Sequence, residues 1–280
     1  MPTSSTRRLP LRVLVLALGM VAALGGAPSW AQEVVHVGGT GAGTLILQRL
    51  IEMYSKSHPE SRVEAILPPL GSSGGMNALD KGGIQIAIVS RLPPPEKAGE
   101  WGVVSWLKTP VVLVARDVPD GTGVSQAQIA DIYAGRLTQW PGGGPIRLVM
   151  RADGDADTML LRSLSPALDA AVRAAWKRPG LPIVENDVDN QQLLEKTPGA
   201  FGIMSLAQAL LLNATLKPLA LDGVMPSVAT LLDGTYPHMR KFYLLTGKNP
   251  SAEVRAFLAY VQSPETMKQL VRYGLAPLAP

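Results

Sequence analysis

Strands that alternate with helices predict an α/β fold for this 280-residue chain. So do three turns, marked by glycine or serine, at which a strand runs directly into a helix. Composition agrees. Hydrophobic residues make up 46% and charged residues 17%, below the roughly 25% of an ordinary soluble domain, so the chain is built to bury a core. The length accommodates one large domain or two modest lobes.

The elements follow in order. Val34–Val37 reads as a short strand. The glycine-rich run Gly38-Gly39-Thr40-Gly41-Ala42-Gly43 leads into a helix over about 44–57, whose Ile46, Leu47, Leu50, Ile51 and Tyr54 keep helical spacing. His58-Pro59 ends it. Arg62–Leu67 is a strand, and Gly71-Ser72-Ser73-Gly74-Gly75 is a loop before a helix through Met76 and Leu79. Ile84–Val89 is a buried strand closing on Ser90-Arg91, and Val111–Ala115 is another. Ser125 caps a helix to Tyr133. The strand Ile146–Met150 ends in Arg151-Ala152-Asp153-Gly154-Asp155-Ala156-Asp157-Thr158 and enters a helix with Leu160, Leu161 and Leu164. Further strands fall near Ile183 and at Ala200–Met204, and Phe242–Leu245 is the last. Two helices close the chain, the second opening on Ser263-Pro264-Glu265 and stopping at Gly274.

The N-terminus reads as an address. Arg7, Arg8 and Arg12 precede an apolar run from Val13 to Leu24, and small residues at Ser29 and Ala31 place a cleavage site before Gln32. Residues 1–31 are therefore expected to be a signal peptide, and the apolar run is short for a membrane span. Cysteine is absent, which excludes disulfides, thiol catalysis, thiolate zinc sites and a lipid-modified cysteine. A soluble periplasmic protein is the expectation. The formal charge of +4 belongs largely to the leader: without its three arginines 23 basic residues face 22 acidic ones. That balance argues against nucleic acid as a partner.

Enzyme constellations are thin. His36, His58 and His238 show no metal-ligand spacing, and no metal or cofactor is expected. Gly71-Ser72-Ser73-Gly74-Gly75 has the wrong register for a hydrolase elbow. The run from Gly38 lacks the lysine of a Walker loop. Trp101, Trp106, Trp140 and Trp176 read as packing residues. No catalytic residue is assigned. The strand-to-helix turns could instead aim backbone N–H groups and hydroxyls at one anion. Arg151, directly after a strand, is placed to grip an oxyanion, or else to pair with Asp153 or Asp157. Arg91 is a second oxyanion donor or a solvated strand end.

Six segments coincide in order: Gly41-Ala42-Gly43-Thr44-Leu45, Gly71-Ser72-Ser73-Gly74-Gly75, Ile86-Ala87-Ile88-Val89-Ser90-Arg91, Ile132-Tyr133-Ala134-Gly135-Arg136-Leu137-Thr138-Gln139-Trp140, Arg151-Ala152-Asp153-Gly154 and Thr197-Pro198-Gly199-Ala200-Phe201-Gly202-Ile203. On these the chain resembles the phosphate-binding (PstS-like) receptors of bacterial phosphate ABC transporters. The resemblance implies a two-lobed type 2 periplasmic-binding-protein fold, with residues 32–115 plus 240–280 as lobe I and 116–239 as lobe II. It implies an anion cleft between them. Thr44, Leu45 and Ser72 would line one wall, with Ser90 and Arg91 at the next loop. Arg151 would be the cationic partner on the other lobe, with backbone donors from Asp155, Ala156 and Asp157. The partners implied are a small oxyanion such as phosphate and an ABC transporter permease, with the receptor itself a monomer.

One departure stands out. Where the family has Ser-Gly-Thr, this chain has Asp155-Ala156-Asp157, and two donor hydroxyls have become carboxylates. Ser90 stands where some members carry a carboxylate that accepts a proton from phosphate. The aspartates could cap the helix, accept a proton from a protonated anion, or repel anions. Three functions therefore stay open: an oxyanion receptor, the same scaffold with another ligand or a sensory role, and a phosphoryl hydrolase.

Overall fold

The computed structural model describes residue 1 and residues 33–97, 99–212 and 215–278. Apart from Met1, the expected signal peptide lies outside the described residues. The chain runs β1 (Val34–Gly39), α1 (Gly41–Ser57), β2 (Arg62–Ala65), α2 (Gly71–Asp80), β3 (Ile86–Val89), β4 (Trp101–Ala115), β5 (Gly123–Val124) and α3 (Gln126–Ala134). It continues with β6 (Arg147–Leu148), β7 (Met150–Arg151), α4 (Ala156–Ser163), α5 (Pro166–Ala175), β8 (Ile183–Val184), α6 (Asp187–Lys196), β9 (Ala200–Ser205) and α7 (Leu206–Leu211). Then come β10 (Lys217–Pro218), β11 (Ala220–Leu221), α8 (Val228–Leu232), β12 (Met239–Gly247), α9 (Ala252–Gln262), α10 (Pro264–Leu270) and β13 (Ala276–Pro277).

The main sheet has the order β2-β1-β3-β12-β4-β9-β6, with β10 and β13 also paired to β4. β1 lies parallel to β2 and β3, and β12 runs antiparallel to β3 and β4. The 15-residue β4 is its spine. Its first part pairs with β12 from Trp101 to Pro110, and its last part pairs with β9 from Val111 to Ala115. Two large apolar clusters form on either stretch. Val37, Ile46, Leu50, Ile88, Trp106, Leu107, Phe242 and Phe257 pack in one, and the Trp106 Nε1–H donates to the Val261 carbonyl at 3.1 Å. Val111, Leu113, Ile129, Tyr133, Leu168, Val172 and Phe201 pack in the other.

Local signals explain the boundaries. Ser125 caps α3 in a full capping box with Gln128, and Gly135 ends it at φ 76°. Ser263 caps α10 with Pro264 in its first turn, and Gly274 takes φ 71° after the final turn. Two boundaries differ from expectation. α1 starts at Gly41 and α2 at Gly71, so Gly41-Ala42-Gly43 and Gly71-Ser72-Ser73-Gly74-Gly75 lie inside helix starts rather than in loops, while Gly38-Gly39 end β1. The reason is contact with the sheet. A Cβ at Gly43 would sit 2.7 Å from the Ile88 side chain, and one at Gly75 would sit 2.9 Å from Gly39 Cα. The small residues let both helices press their first turns onto β1 and β3. β13 follows β12, so Phe242–Leu245 is not the last strand.

Gly39 is the tightest of these positions. Its φ is +146°, and a Cβ there would lie 1.9 Å from the Ile88 carbonyl oxygen. Gly39→Ala is expected to abolish folding or cost well over about 3 kcal/mol. Gly71→Ala, with φ +71° and open space around it, is expected to cost about 1–2 kcal/mol. Urea melts of the two variants check the contrast.

Candidate functional site

The site is assembled from the starts of four helices and the ends of three strands. Arg151 ends β7, and its side chain is 2% exposed. The turn after it brings Asp155 to the N-cap of α4, in extended conformation. Asp155 Oδ1 accepts from the Asp157 and Thr158 N–H groups at 3.0 and 3.4 Å, while Oδ2 accepts from Arg151 Nη2 at 2.5 Å. Asp155 therefore caps the helix and holds the guanidinium at once. The ion pair expected with Asp153 or Asp157 is replaced by this one.

Asp187 opens α6, whose N-cap Asn186 accepts from the Asp189 N–H. Its Oδ2 accepts from the Ala42 N–H at 2.8 Å, on the first turn of α1. Its Oδ1 accepts from Arg151 Nη2 at 3.2 Å, and both oxygens lie 3.3 Å from Arg240 Nη1. A Cβ at Gly41 would meet Asp187 Oδ2 at 2.8 Å, so only glycine lets the carboxylate dock on the helix start. Arg240, on β12, also donates from Nε to Asp157 Oδ1 at 3.0 Å, with Nη2 2.5 Å from Oδ2.

Two guanidinium groups thus face three carboxylates in a region where no side chain is more than 12% exposed. Burial works against the charge of Asp187, but Arg240, Arg151 and the Ala42 N–H outweigh it and hold its pKa below the ordinary value. Asp157 goes the other way. Complete burial, helped by the charges of Asp155 and Asp187, overrides Arg240 and pushes it up to about 6. The Arg151 and Arg240 pKa values are held above the ordinary one, because their aspartate partners outweigh burial.

The facing wall belongs to α2 and β3. The Ser72 and Ser90 hydroxyls lie 3.1 Å apart, and the Ser90 N–H donates to Ser72 Oγ at 3.1 Å. Arg91 donates from Nη2 to Ser73 Oγ at 2.6 Å. No side chain caps the start of α2. Between the walls lies a cavity of about 480 Å³. Ser72, Ser90, Arg91, Arg151, Asp155 and Ala156 line it, as do Thr40, Gly41, Glu185, Asp187 and Arg240. Among the described residues no group of His, Asp and Glu side chains is placed to hold a metal ion.

Three expected wall residues lie elsewhere. Because α1 begins at Gly41, Thr44 is a full turn into the helix and completely buried. Leu45 turns to a separate surface cavity with Gln48, Arg49 and Tyr273. Thr40 and Gly41 take the place given to them. Asp157 sits behind the cavity against Arg240. Sequence reasoning missed Asp187 and Arg240. The sequence-visible signals were an Asn186-Asp187 helix start and an arginine inside the apolar strand Met239–Leu245.

The sequence model of the PBP superfamily domain family matches residues 26–265. The phosphate-binding protein PstS of Bacillus subtilis (strain 168) is 22% identical over 247 residues, which is 86% of this chain and 79% of that protein. A Clostridium perfringens protein whose crystal structure carries bound phosphate superposes with TM-score 0.68 at 20% identity, over 88% of this chain and all of the other. An ABC-type phosphate transport receptor from Vibrio cholerae superposes with TM-score 0.59 at 21% identity, over 89% of this chain and all of the other.

The buried cluster has a pH signature. The folded pKa of Asp157, about 6, lies above the ordinary 3.8, so the native state holds this proton more tightly than the unfolded chain. Its stabilising contribution is full below about pH 3.8 and is lost as pH rises through about 6. Asp157→Asn is expected to remove that component from a plot of unfolding free energy between pH 4 and 7. Arg240→Met, which strands two carboxylates, is expected to cost about 3–5 kcal/mol at pH 7. Chemical denaturation across that pH range measures both.

Proposed function

The chain belongs to the PBP superfamily domain family, and from that premise we propose that it is an exported solute-binding protein that receives phosphate or a similar oxyanion for an ABC transporter. The observation that carries this reading is the convergence of Ser72, Ser90, Arg91 and Arg151 on one cavity. Each supplies a donor suited to an oxyanion, and they come from opposite walls. The names of the relatives support it, since they are phosphate-binding proteins and phosphate transport receptors. The leader-like residues 1–31 support export to the periplasm.

The same reading divides the mature chain into lobe I, residues 32–115 plus 240–280, and lobe II, residues 116–239. Two apolar clusters packed on the two stretches of β4 support that division. Ser72, Ser90 and Arg91 belong to the first lobe and Arg151, Asp155 and Ala156 to the second. A ligand touching both would favour the closed population, because it makes its full set of contacts only there.

Binding and closure are tested together. Titration calorimetry with phosphate, arsenate and phosphonates is expected to show saturable binding, with a smaller radius of gyration by X-ray scattering at saturation. Ser72→Ala removes one hydroxyl and is expected to weaken binding by about 1 kcal/mol, roughly fivefold. Absence of binding to every phosphorus or arsenic oxyanion, with the fold intact, contradicts the reading.

A further inference from the structure

The cavity is two-faced. One wall carries the Ser72 and Ser90 hydroxyls, the exposed Arg91 and the uncapped start of α2. The other carries Asp155 and Asp187, with Glu185 at the rim. Two of the helix starts that meet here are already occupied by the chain's own carboxylates. Asp187 sits on α1 and Asp155 on α4, which leaves α2 without a side-chain cap.

Charge in the buried cluster does not balance. Arg151 and Arg240 face Asp155, Asp157 and Asp187, so one negative charge is left over. An uncompensated buried charge is costly and draws a counter-ion. The two carboxylates of this cluster that reach the cavity are Asp155 and Asp187. An independent observation concerns the anionic end. Arg151 lines the same cavity at 2% exposure, yet its Nε and Nη1 atoms find no hydrogen-bond partner among the described residues. Two buried donors without an acceptor call for one. The volume also exceeds the needs of a bare tetrahedral ion: about 480 Å³ falls in the usual range for organic-ligand sites.

We propose that the cavity takes a zwitterion, a phosphonate or phosphate ester carrying an ammonium group, rather than inorganic phosphate. The phosphorus oxyanion meets Ser72, Ser90 and Arg91, with the guanidinium of Arg151 lining the cavity from the facing wall. The ammonium faces Asp155, Asp187 and Glu185 and supplies the positive charge that the buried cluster lacks. This rests on the solute-receptor reading above and sharpens its ligand. A fully ionised phosphate without an amine would meet the same carboxylates with nothing to offset them.

The test titrates 2-aminoethylphosphonate, ethylphosphonate and inorganic phosphate into the purified mature chain at pH 7. It uses wild type, Asp155→Asn and Glu185→Gln. Asparagine keeps the helix cap but gives up the ion pair with Arg151, whereas Glu185 is exposed and outside the buried cluster, so Glu185→Gln keeps the test readable if Asp155→Asn disturbs the fold. The amino compound is expected to bind at least about tenfold tighter than either other ligand to wild type, and the gap is expected to shrink to about threefold or less in Asp155→Asn. Equal or tighter binding of ethylphosphonate or phosphate to wild type overturns the proposal and leaves the receptor reading standing. A preference for the amino compound that survives in both variants also overturns it, because these carboxylates would then not be the counter-charge. No binding of any of the three overturns the receptor reading itself.

Discussion

The Asp187 carboxylate is the constraint on which the rest of the site depends. It accepts the Ala42 N–H on α1, a donor from Arg151 on β7 and donors from Arg240 on β12. The Gln208 side-chain amide on α7 holds its backbone carbonyl at 2.5 Å. Segments far apart in sequence are thus tied to one buried group. Electrostatics in such a region is strong, and each partner becomes a liability once another is removed. The glycine at 41 follows from the same contact, since any side chain there would push the carboxylate off the helix start.

This arrangement bears on the ligand proposed for the cavity. An α/β sheet of this kind gathers helix starts beyond its strand ends, and those starts are natural anion sites. Here Asp187 and Asp155 already satisfy two of them. The scaffold's family is clear from the match over residues 26–265. The ligand proposed above rests on fewer residues, Asp155 and Asp187 among them.

Much of the fold was legible because its signals are local. Ser125, the Ser263-Pro264 pair and the terminal glycines mark helix ends by hydrogen bonds within a turn. The turn residues Ser72, Ser90, Arg91 and Arg151 stood out because polar groups directly follow or precede apolar runs, and all four reach the cavity. Thr44 and Leu45 are wall residues only by family resemblance, and they miss the cavity because close approach to Ile88 draws the preceding glycines into the first turn of α1. Asp187 and Arg240 escaped notice because their importance lies in contacts 53 residues or more apart, with Arg240 and Ala42 as partners. A helix-start aspartate and an arginine in an apolar strand are visible locally, but only tertiary packing shows that the two charges are buried against each other.

The most direct measurement of this account is a carboxyl ¹³C NMR titration of Asp187, assigned by comparison with Asp187→Asn. If two guanidinium groups and the start of α1 hold this carboxylate, it stays ionised to below the ordinary 3.8 despite complete burial. A midpoint at or above 3.8 in the folded protein would contradict the account, because burial without that shared clasp raises the value.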